Sequence, residues 1–409
     1  MSLNIESVVA SQSCMGCLSC SDACPVKAIS IAEDAAEGFL RPTVDSNKCV
    51  DCGLCVRSCP ASHADMARPL SDESPTSYVV SVMEEGHDEE RSSSSGIAYW
   101  LGYRFINRYK DAEVFGCAFD SNLVARHISV HDEEELVRLR GSKYVQSNIA
   151  GVYKEISSCI GRGQRVLFFG TPCQVDALRR YVGHTERLVT VDIFCHGVPS
   201  PGFWKKDVEW LGAKHGLIRS DKWLFRLRDN KTRTKYHISD SGSHIVDNHD
   251  DPYYSQFMSS GSLQEACYKC RFASQVRAGD LSIGDCAIAD AIEGMPSDVP
   301  VSTVVLNTRM GLECFEDLAS SIAIAYKPIK LSREAKFNMA LSSPPKRSVA
   351  RDSVYLDMRK EPYELFAKRY CTKKSARDYV KDIAIRCLPE KFVHKIKNRR
   401  MTELTDANQ

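Results

Sequence analysis

The chain lacks the features that would send it into a membrane or out of a cell. No stretch approaches the ~20 consecutive apolar residues that a bilayer span requires. Residues 1–13 have neither a basic start nor an apolar run long enough to serve as an export signal. Charge bias is missing as well: 54 Lys and Arg against 53 Asp and Glu leave a formal +1 over 409 residues. No global field therefore steers the protein toward nucleic acid, and none is expected as a partner. Large disordered tracts are absent too. With 43% hydrophobic and 26% charged residues the composition is that of a folded globular protein, long enough for two or three domains. Against these absences stand 18 cysteines. In a chain without an export signal they indicate a reducing compartment, the cytoplasm by default, where thiols serve metals or catalysis instead of bridges.

Eight of the cysteines fall into two copies of one pattern. Cys14, Cys17, Cys20 and Cys24 are followed by Pro25, and Cys49, Cys52, Cys55 and Cys59 by Pro60. Each copy reads C-x2-C-x2-C-x3-C-P, the spacing of bacterial ferredoxins, in which the fourth cysteine serves the other [4Fe-4S] cluster. One cluster is then expected on Cys14, Cys17, Cys20 and Cys59, and its twin on Cys49, Cys52, Cys55 and Cys24. Small residues inside the runs, Gly16, Ser19, Ala23 and Gly53, suit the tight loops this needs. Zinc and disulfides are the alternatives, but a zinc site closes with four ligands, and two identical four-membered runs overshoot that need. Between the runs, residues 28–31 and 40–44 alternate as two short strands around a turn at 33–38.

The rest of the chain offers weaker signals. Residues 65–76 read as a linker, and residues 77–82 as a strand of the next domain. Ser95-Gly96 opens an amphipathic helix over 97–109, which makes the pair an anion seat or a simple N-cap. Residues 132–140 read as a compact helix ended by Gly141. The polar loop that follows, Gly141 to Ser147, carries Lys143 and by itself is only a surface loop. Residues 166–169 form a continuous apolar run, as buried parallel strands do; Gly170-Thr171-Pro172-Cys173-Gln174 then turns into a helix over 175–181. A second apolar run, 188–194, ends at Cys195-His196-Gly197. As successive parallel strands, the two runs place Cys173 and Cys195 at carboxyl ends, the edge where open α/β sheets bind ligands. Cys267 and Cys270 add a C-x2-C pair, and the four thiols suffice for a third cluster. Buried apolar cysteine is the competing reading for Cys173 and Cys195, and Cys286 is a reserve ligand. From residue 344 the composition turns basic, consistent with amphipathic helices that meet an anionic membrane surface peripherally, or with a solvated face on a protein.

At Gly141-Ser142-Lys143-Tyr144, Gly170-Thr171-Pro172-Cys173-Gln174, Cys195-His196-Gly197-Val198-Pro199-Ser200, Cys267-x2-Cys270 and Arg277-x2-Asp280 to Asp285, the chain resembles the coenzyme F420 hydrogenase/dehydrogenase beta-subunit family. The resemblance runs over roughly residues 77–329, with the motifs in the family's order. It implies an α+β protein with a two-[4Fe-4S] ferredoxin-like module (1–64), a linker (65–76), an α/β flavin-binding and iron–sulfur domain (77–343) and a basic helical extension (344–409). It further implies FAD, near Ser95, Gly96, Ser142, Lys143, Gly170 and Thr171, with Lys143 as the candidate catalytic residue, and a third cluster on Cys173, Cys195, Cys267 and Cys270. The implied activity is an oxidoreductase that relays electrons between the clusters and a flavin exchanging a hydride with coenzyme F420 or another small molecule, with a redox protein or ferredoxin as partner. The alternative is a non-catalytic electron-transfer subunit, in the manner of family members associated with surface-polysaccharide synthesis. Two departures bear on the hydride partner: Cys286-Ala287-Ile288-Ala289 replaces an aromatic stretch after Gly284-Asp285, and Ile97 stands where many relatives carry a second glycine.

Overall fold

The computed structural model describes residues 4–67, 74–84, 93–216, 223–227, 235–240, 245–247, 249–289, 292–295 and 300–372, with 380 and 383. Its N-terminal part is built on β1 (Ile29–Glu33) and β2 (Leu40–Val44), an antiparallel hairpin in which Ile31 faces Pro42. Two short helices, Ser19–Ala23 and Leu54–Arg57, each begin inside a cysteine run. Both start from a left-handed residue at the same position of the repeat, Leu18 at φ 60° and Gly53 at φ 71°. Side chains other than glycine seldom adopt this conformation; it reverses the chain tightly enough to turn successive cysteines inward.

The larger part is organised by one sheet. Its strands are β3 (Thr76–Val82), β4 (Ala112–Phe119), β5 (Ala125–Val130), β6 (Arg165–Gly170) and β7 (Leu188–Ile193); a separate three-stranded sheet follows, of β8 (Trp223–Leu227), β9 (Lys235–Asp240) and β10 (Ile245–Asp247). Then β11 (Leu281–Asp285), β12 (Ser302–Leu306) and β13 (Ile324–Pro328) complete the large sheet. Its order is β13-β3-β12-β11-β7-β6-β4-β5. The middle strands β4, β6, β7 and β11 run parallel, and antiparallel strands flank them on both sides. The expected strand–helix–strand unit is present: β6, the helix Pro172–Val182 and β7, with Gly170 opposite Asp192.

Alternation along these strands separates two cores, because successive side chains leave a strand on opposite faces. Val114 and Leu167 point to one face, where helices Ile97–Arg108 and Arg309–Ser321 cover them. Phe115, Val166 and Phe168 point to the other, under helices Val152–Gly161 and Pro172–Val182. Cys17, Leu18, Ile31 and Leu40 pack into that second core, so the N-terminal part is seated on the sheet's helical layer.

A third core, rich in aromatic side chains, joins helices Pro201–His215, Pro252–Met258, Arg351–Lys360 and Tyr363–Tyr370. Phe39, from the turn between β1 and β2, is fully buried in it. Two contacts fix that turn. Gly202 donates its N–H to Gly38 across 3.0 Å, and a Cβ on either glycine would fall within 2.8 Å of the other's Cα. Buried Arg351 grips both Glu37 oxygens at 2.7 Å and donates to Leu263 at 2.8 Å. Residues 351–370 are thus part of the packed body. Of the basic stretch expected beyond them, residues 373–379, 381–382 and 384–409 lie outside the described residues, as do 68–73 of the expected linker.

Candidate functional site

The two cysteine runs fold into two hollows. One is lined by Cys14, Cys17, Cys20 and Cys59, the other by Cys24, Cys49, Cys52 and Cys55. The fourth cysteine of each run has crossed to the other's hollow, as the spacing predicts. Burial pushes the Cys17, Cys20 and Cys59 thiols up, and their mutual proximity pushes them further. The protein around the first hollow is rich in donors and acceptors: the Ser19 hydroxyl lies 3.6 Å from the Cys17 sulfur, and the Tyr153 hydroxyl donates to the Cys17 carbonyl at 2.7 Å. The second hollow is nearer solvent, with Cys52 exposed.

At the large sheet, Cys173, Cys195, Cys267 and Cys270 come together from three separate segments. Cys173 is in the first turn of the helix after β6, Cys195 follows β7, and the C-x2-C pair lies in the 3-10 turn Glu265–Lys269 and just after it. Burial raises the Cys173 thiol, and Cys195, Cys270 and Cys267 raise it further; Thr171 opposes them with a hydroxyl 3.2 Å from the sulfur. Cys195 is pushed up to about 12 by burial and by Cys270. The four half-buried thiols crowd one another, and a cationic centre that takes them as thiolates removes the cost of both desolvation and mutual repulsion. Among the described residues no three cysteine sulfurs lie within 4.8 Å of one another. Four thiolates on one zinc at ~2.3 Å would stand about 3.8 Å apart, whereas a cubane, with four irons at alternate corners each taking one thiolate, holds them farther apart. The donor sets fit cubane clusters better than zinc. Cys286 does not join them: its sulfur faces the buried Glu334 carboxylate at 3.6 Å, so the reserve ligand is elsewhere.

A buried ionic frame holds these loops. Arg277 donates to Asp192 at the end of β7 and to the Phe272 and Ser274 carbonyls behind the C-x2-C turn. Asp192 also accepts from the Ala278 and Gly279 amides at 3.0 and 2.7 Å. Asp280 binds Arg179 at 2.7 Å and Thr308 at 2.8 Å. The Arg277-x2-Asp280 motif therefore ties β11 to β7 and to the Cys173 helix.

The residues nominated for a flavin line one edge of the sheet, at the carboxyl ends of the parallel strands. Gly170 and Thr171 end β6, and Thr171 caps the following helix reciprocally with Gln174. Ser95 donates to Ser302 at 2.7 Å, opposite the last residue of β11, and Gly96 opens the Ile97–Arg108 helix at φ 79°. Ser142 donates to the Ser93 hydroxyl from its N–H at 2.7 Å and its hydroxyl at 2.9 Å. Lys143 is turned away from an open role. Its ammonium binds the Arg138, Leu139 and Arg140 carbonyls at 3.3, 3.2 and 2.7 Å, capping the short helical stretch 133–139. Burial brings its pKa down to about 8, with Cys117 acting the other way. That stretch is one α-turn and one 3-10 turn, shorter than the expected helix.

The loop after Gly141 differs most from its sequence reading. Val145, Gln146 and Ser147 are buried, and the loop is a seam between the two halves of the molecule. Gln146 accepts from Leu40 N at 2.8 Å and donates to the Leu40 carbonyl at 3.2 Å. Nothing in the spacing marks that residue, which reads as an ordinary polar member of a loop.

The thiol groups and their frame define an iron–sulfur protein with a ferredoxin module seated on an α/β domain. Residues 13–63 match the 4Fe-4S dicluster domain, and residues 163–332 match the family described as the C terminus of the coenzyme F420 hydrogenase/dehydrogenase beta subunit. The chain thus joins a 4Fe-4S dicluster domain to a domain of the coenzyme F420 hydrogenase/dehydrogenase beta-subunit family. Among solved structures, a chain of the F420-reducing [NiFe] hydrogenase complex from Methanosarcina barkeri aligns at 17% identity over 73% of this chain and 95% of that one, with a TM-score of 0.43. No curated protein matches. No described helix is long and apolar enough to cross a membrane.

Proposed function

We propose that the chain is an iron–sulfur flavoprotein oxidoreductase that relays electrons between three [4Fe-4S] clusters and a hydride-exchanging flavin at the sheet edge. The observation that carries this reading is the gathering of Cys173, Cys195, Cys267 and Cys270 beside the first ferredoxin hollow. Cys173 is near enough to Cys17 to help raise its thiol, and both act on the Tyr153 hydroxyl. The sequence of centres then runs from the half-exposed group Cys24, Cys49, Cys52 and Cys55, through Cys14, Cys17, Cys20 and Cys59, to the group at the strand ends. A flavin such as FAD, bound at that edge, would supply the exchange between two-electron hydride chemistry and one-electron transfer.

The chain's own residues have definable tasks in this scheme. The N-termini of the Ile97–Arg108 and Pro172–Val182 helices open on the same edge and suit phosphate. The Ser93, Ser95 and Ser142 hydroxyls, already linked within the protein, would orient a ligand by second bonds from the same oxygens. Lys143 acts through the carbonyls it gathers, holding the loop that carries Ser142. Coenzyme F420 is a candidate hydride partner, and a redox protein or ferredoxin is the partner at the outer cluster.

The competing reading is an electron-transfer subunit without flavin, favoured by the fact that Lys143 and Ser95 are engaged by protein groups. Anaerobically purified protein separates the two. The flavoprotein reading expects about twelve irons from three cubanes, with one FAD, per chain. Flavin should be bleached by a small-molecule hydride donor and reoxidised through the clusters. Eight irons and no flavin overturn it.

A further inference from the structure

We infer that Gln146 and Gln264 form an amide bridge that sets electron transfer between the first ferredoxin cluster and the cluster at the strand ends, an inference that rests on the three-cluster reading above. Both side chains are almost fully buried, at 4% and 0% exposure. Each donates from its side chain to the Cys14–Cys17 loop and from its backbone to the strand exit that follows Cys195. Gln146 donates from Nε2 to the Gly16 carbonyl at 3.4 Å, and its backbone N–H donates to the Pro199 carbonyl at 3.0 Å, in the strand exit that carries Cys195. Its neighbour Ser147 accepts from Gln174 Nε2 at 3.0 Å, one residue beyond Cys173. Gln264 donates from Nε2 to the Cys14 carbonyl, while its own backbone carbonyl accepts the Cys267 N–H at 2.8 Å. Its N–H donates to the Val198 carbonyl at 3.0 Å. The segments that carry Cys195 and Cys267 are therefore hydrogen-bonded to the first ferredoxin loop through these two residues, and the Cys173 helix is reached through the adjacent Ser147.

Gly16 shows how closely the bridge is fitted. A Cβ there would lie 2.1 Å from Gln146 Nε2 and 3.1 Å from Gln264 Oε1. Gly16 is also left-handed, at φ 65°, so the loop accepts no side chain where the two amides converge. Among the described residues Gln264 Oε1 is buried without a hydrogen-bond partner. A buried unpaired acceptor is costly, and it persists here because the rest of Gln264 is fixed from both sides. The Tyr153 hydroxyl on the Cys17 carbonyl supports the same loop from the sheet's helical layer.

The step concerned is a single-electron exchange: one cluster is oxidised as the other is reduced, and no bond or proton moves in the protein. The glutamines are positioning residues. They set the separation of the two centres and the dipoles between them, and hydrogen bonding near cluster ligands tunes potential.

The test uses full-length anaerobic protein and the variants Gln146→Met, Gln264→Met and the double variant, which keep side-chain volume and remove the amides. Iron content is expected to stay at the wild-type value, so the clusters are still assembled. Spin–spin broadening in the electron paramagnetic resonance spectrum of dithionite-reduced protein should weaken. Transfer from the ferredoxin clusters to the strand-end cluster, followed after flash reduction, should be slower than in wild type. Gln146→Asn and Gln264→Asn, which keep an amide but shorten its reach, should give the same spectroscopic change and cover the case in which a methionine variant fails to fold. Twelve irons in wild type with coupling and transfer rate unchanged in the variants overturns the bridge alone. Eight irons in wild type overturns the bridge together with the three-cluster reading.

Discussion

The two ferredoxin hollows and the thiol group at the sheet edge hold the same kind of ligand set by opposite means. Each ferredoxin set takes three cysteines from one short run, and a single left-handed residue, Leu18 or Gly53, turns the run inward. The edge set draws Cys173, Cys195, Cys267 and Cys270 from three segments that only the parallel strands β6, β7 and β11 bring side by side. A local set needs its loop; a distributed set needs its frame. The frame is visible as the buried Arg277–Asp192 and Arg179–Asp280 pairs, whereas the first ferredoxin loop has the less buried Arg41–Asp34 pair, whose Arg41 donates to the Cys14 carbonyl at 3.0 Å.

That contrast breaks most sharply at Arg277. Arg277→Met leaves the Asp192 carboxylate buried with its two amide donors but no cation, and stranding one partner of a buried pair typically costs about 3–5 kcal/mol. The loss should fall on the distributed set alone. Denaturant unfolding is expected to show the second domain weakened, with iron reduced by one cluster and the ferredoxin signals intact. Wild-type stability and iron content in this variant would mean that the frame does not hold the cysteines.

A narrower effect is expected at Cys24. It belongs to the first run in sequence and to the second hollow in space. Cys24→Ser and Cys52→Ser should therefore abolish the same cluster signal, while Cys59→Ser and Cys17→Ser abolish the other. If Cys24→Ser instead matched Cys17→Ser, each run would be closing its own cluster.

These two cases also explain what the sequence made legible. Cys24 and Cys59 could be assigned because their spacing encodes a local geometry. Cys173 and Cys195 could be placed at strand ends because two continuous apolar runs flank one helix. The role of Arg277-x2-Asp280 was out of reach, since its partners Asp192 and Arg179 lie some ninety residues away and nothing in periodicity links them. β11 was hidden for a related reason: in Leu281-Ser282-Ile283-Gly284-Asp285 only two residues are apolar, and the buried Ser282 is satisfied by Arg277 and Asn307. The loop from Gly141 to Ser147 misled most. Its polar residues suit a surface, yet they bury well because backbone groups of the ferredoxin hairpin and of Pro199 complete their hydrogen bonds. Polarity predicts exposure only where no partner is folded against it.

The smallest effect tests how the two regions are joined. Helix Val152–Gly161 begins at Gly151, which at φ 90° offers no side-chain cap. The cap comes from across the seam: Asp22, in the ferredoxin part, accepts from the Gly151, Tyr153 and Lys154 amides at 2.7, 3.1 and 3.3 Å. A carboxylate there answers both the unpaired amides and the positive end of the helix dipole. Asp22→Ala should cost about 1 kcal/mol, the usual value of an N-terminal cap. Asp22→Asn, which keeps an acceptor and loses the charge, should recover part of it. Iron content should be unchanged in both, because the Asp22 carboxylate is engaged by the Gly151, Tyr153 and Lys154 amides. Equal stability of wild type and Asp22→Ala would show that the seam does not depend on this cap, and would leave the Arg351–Glu37 grip and the Gly38–Gly202 contact to hold the ferredoxin module in place.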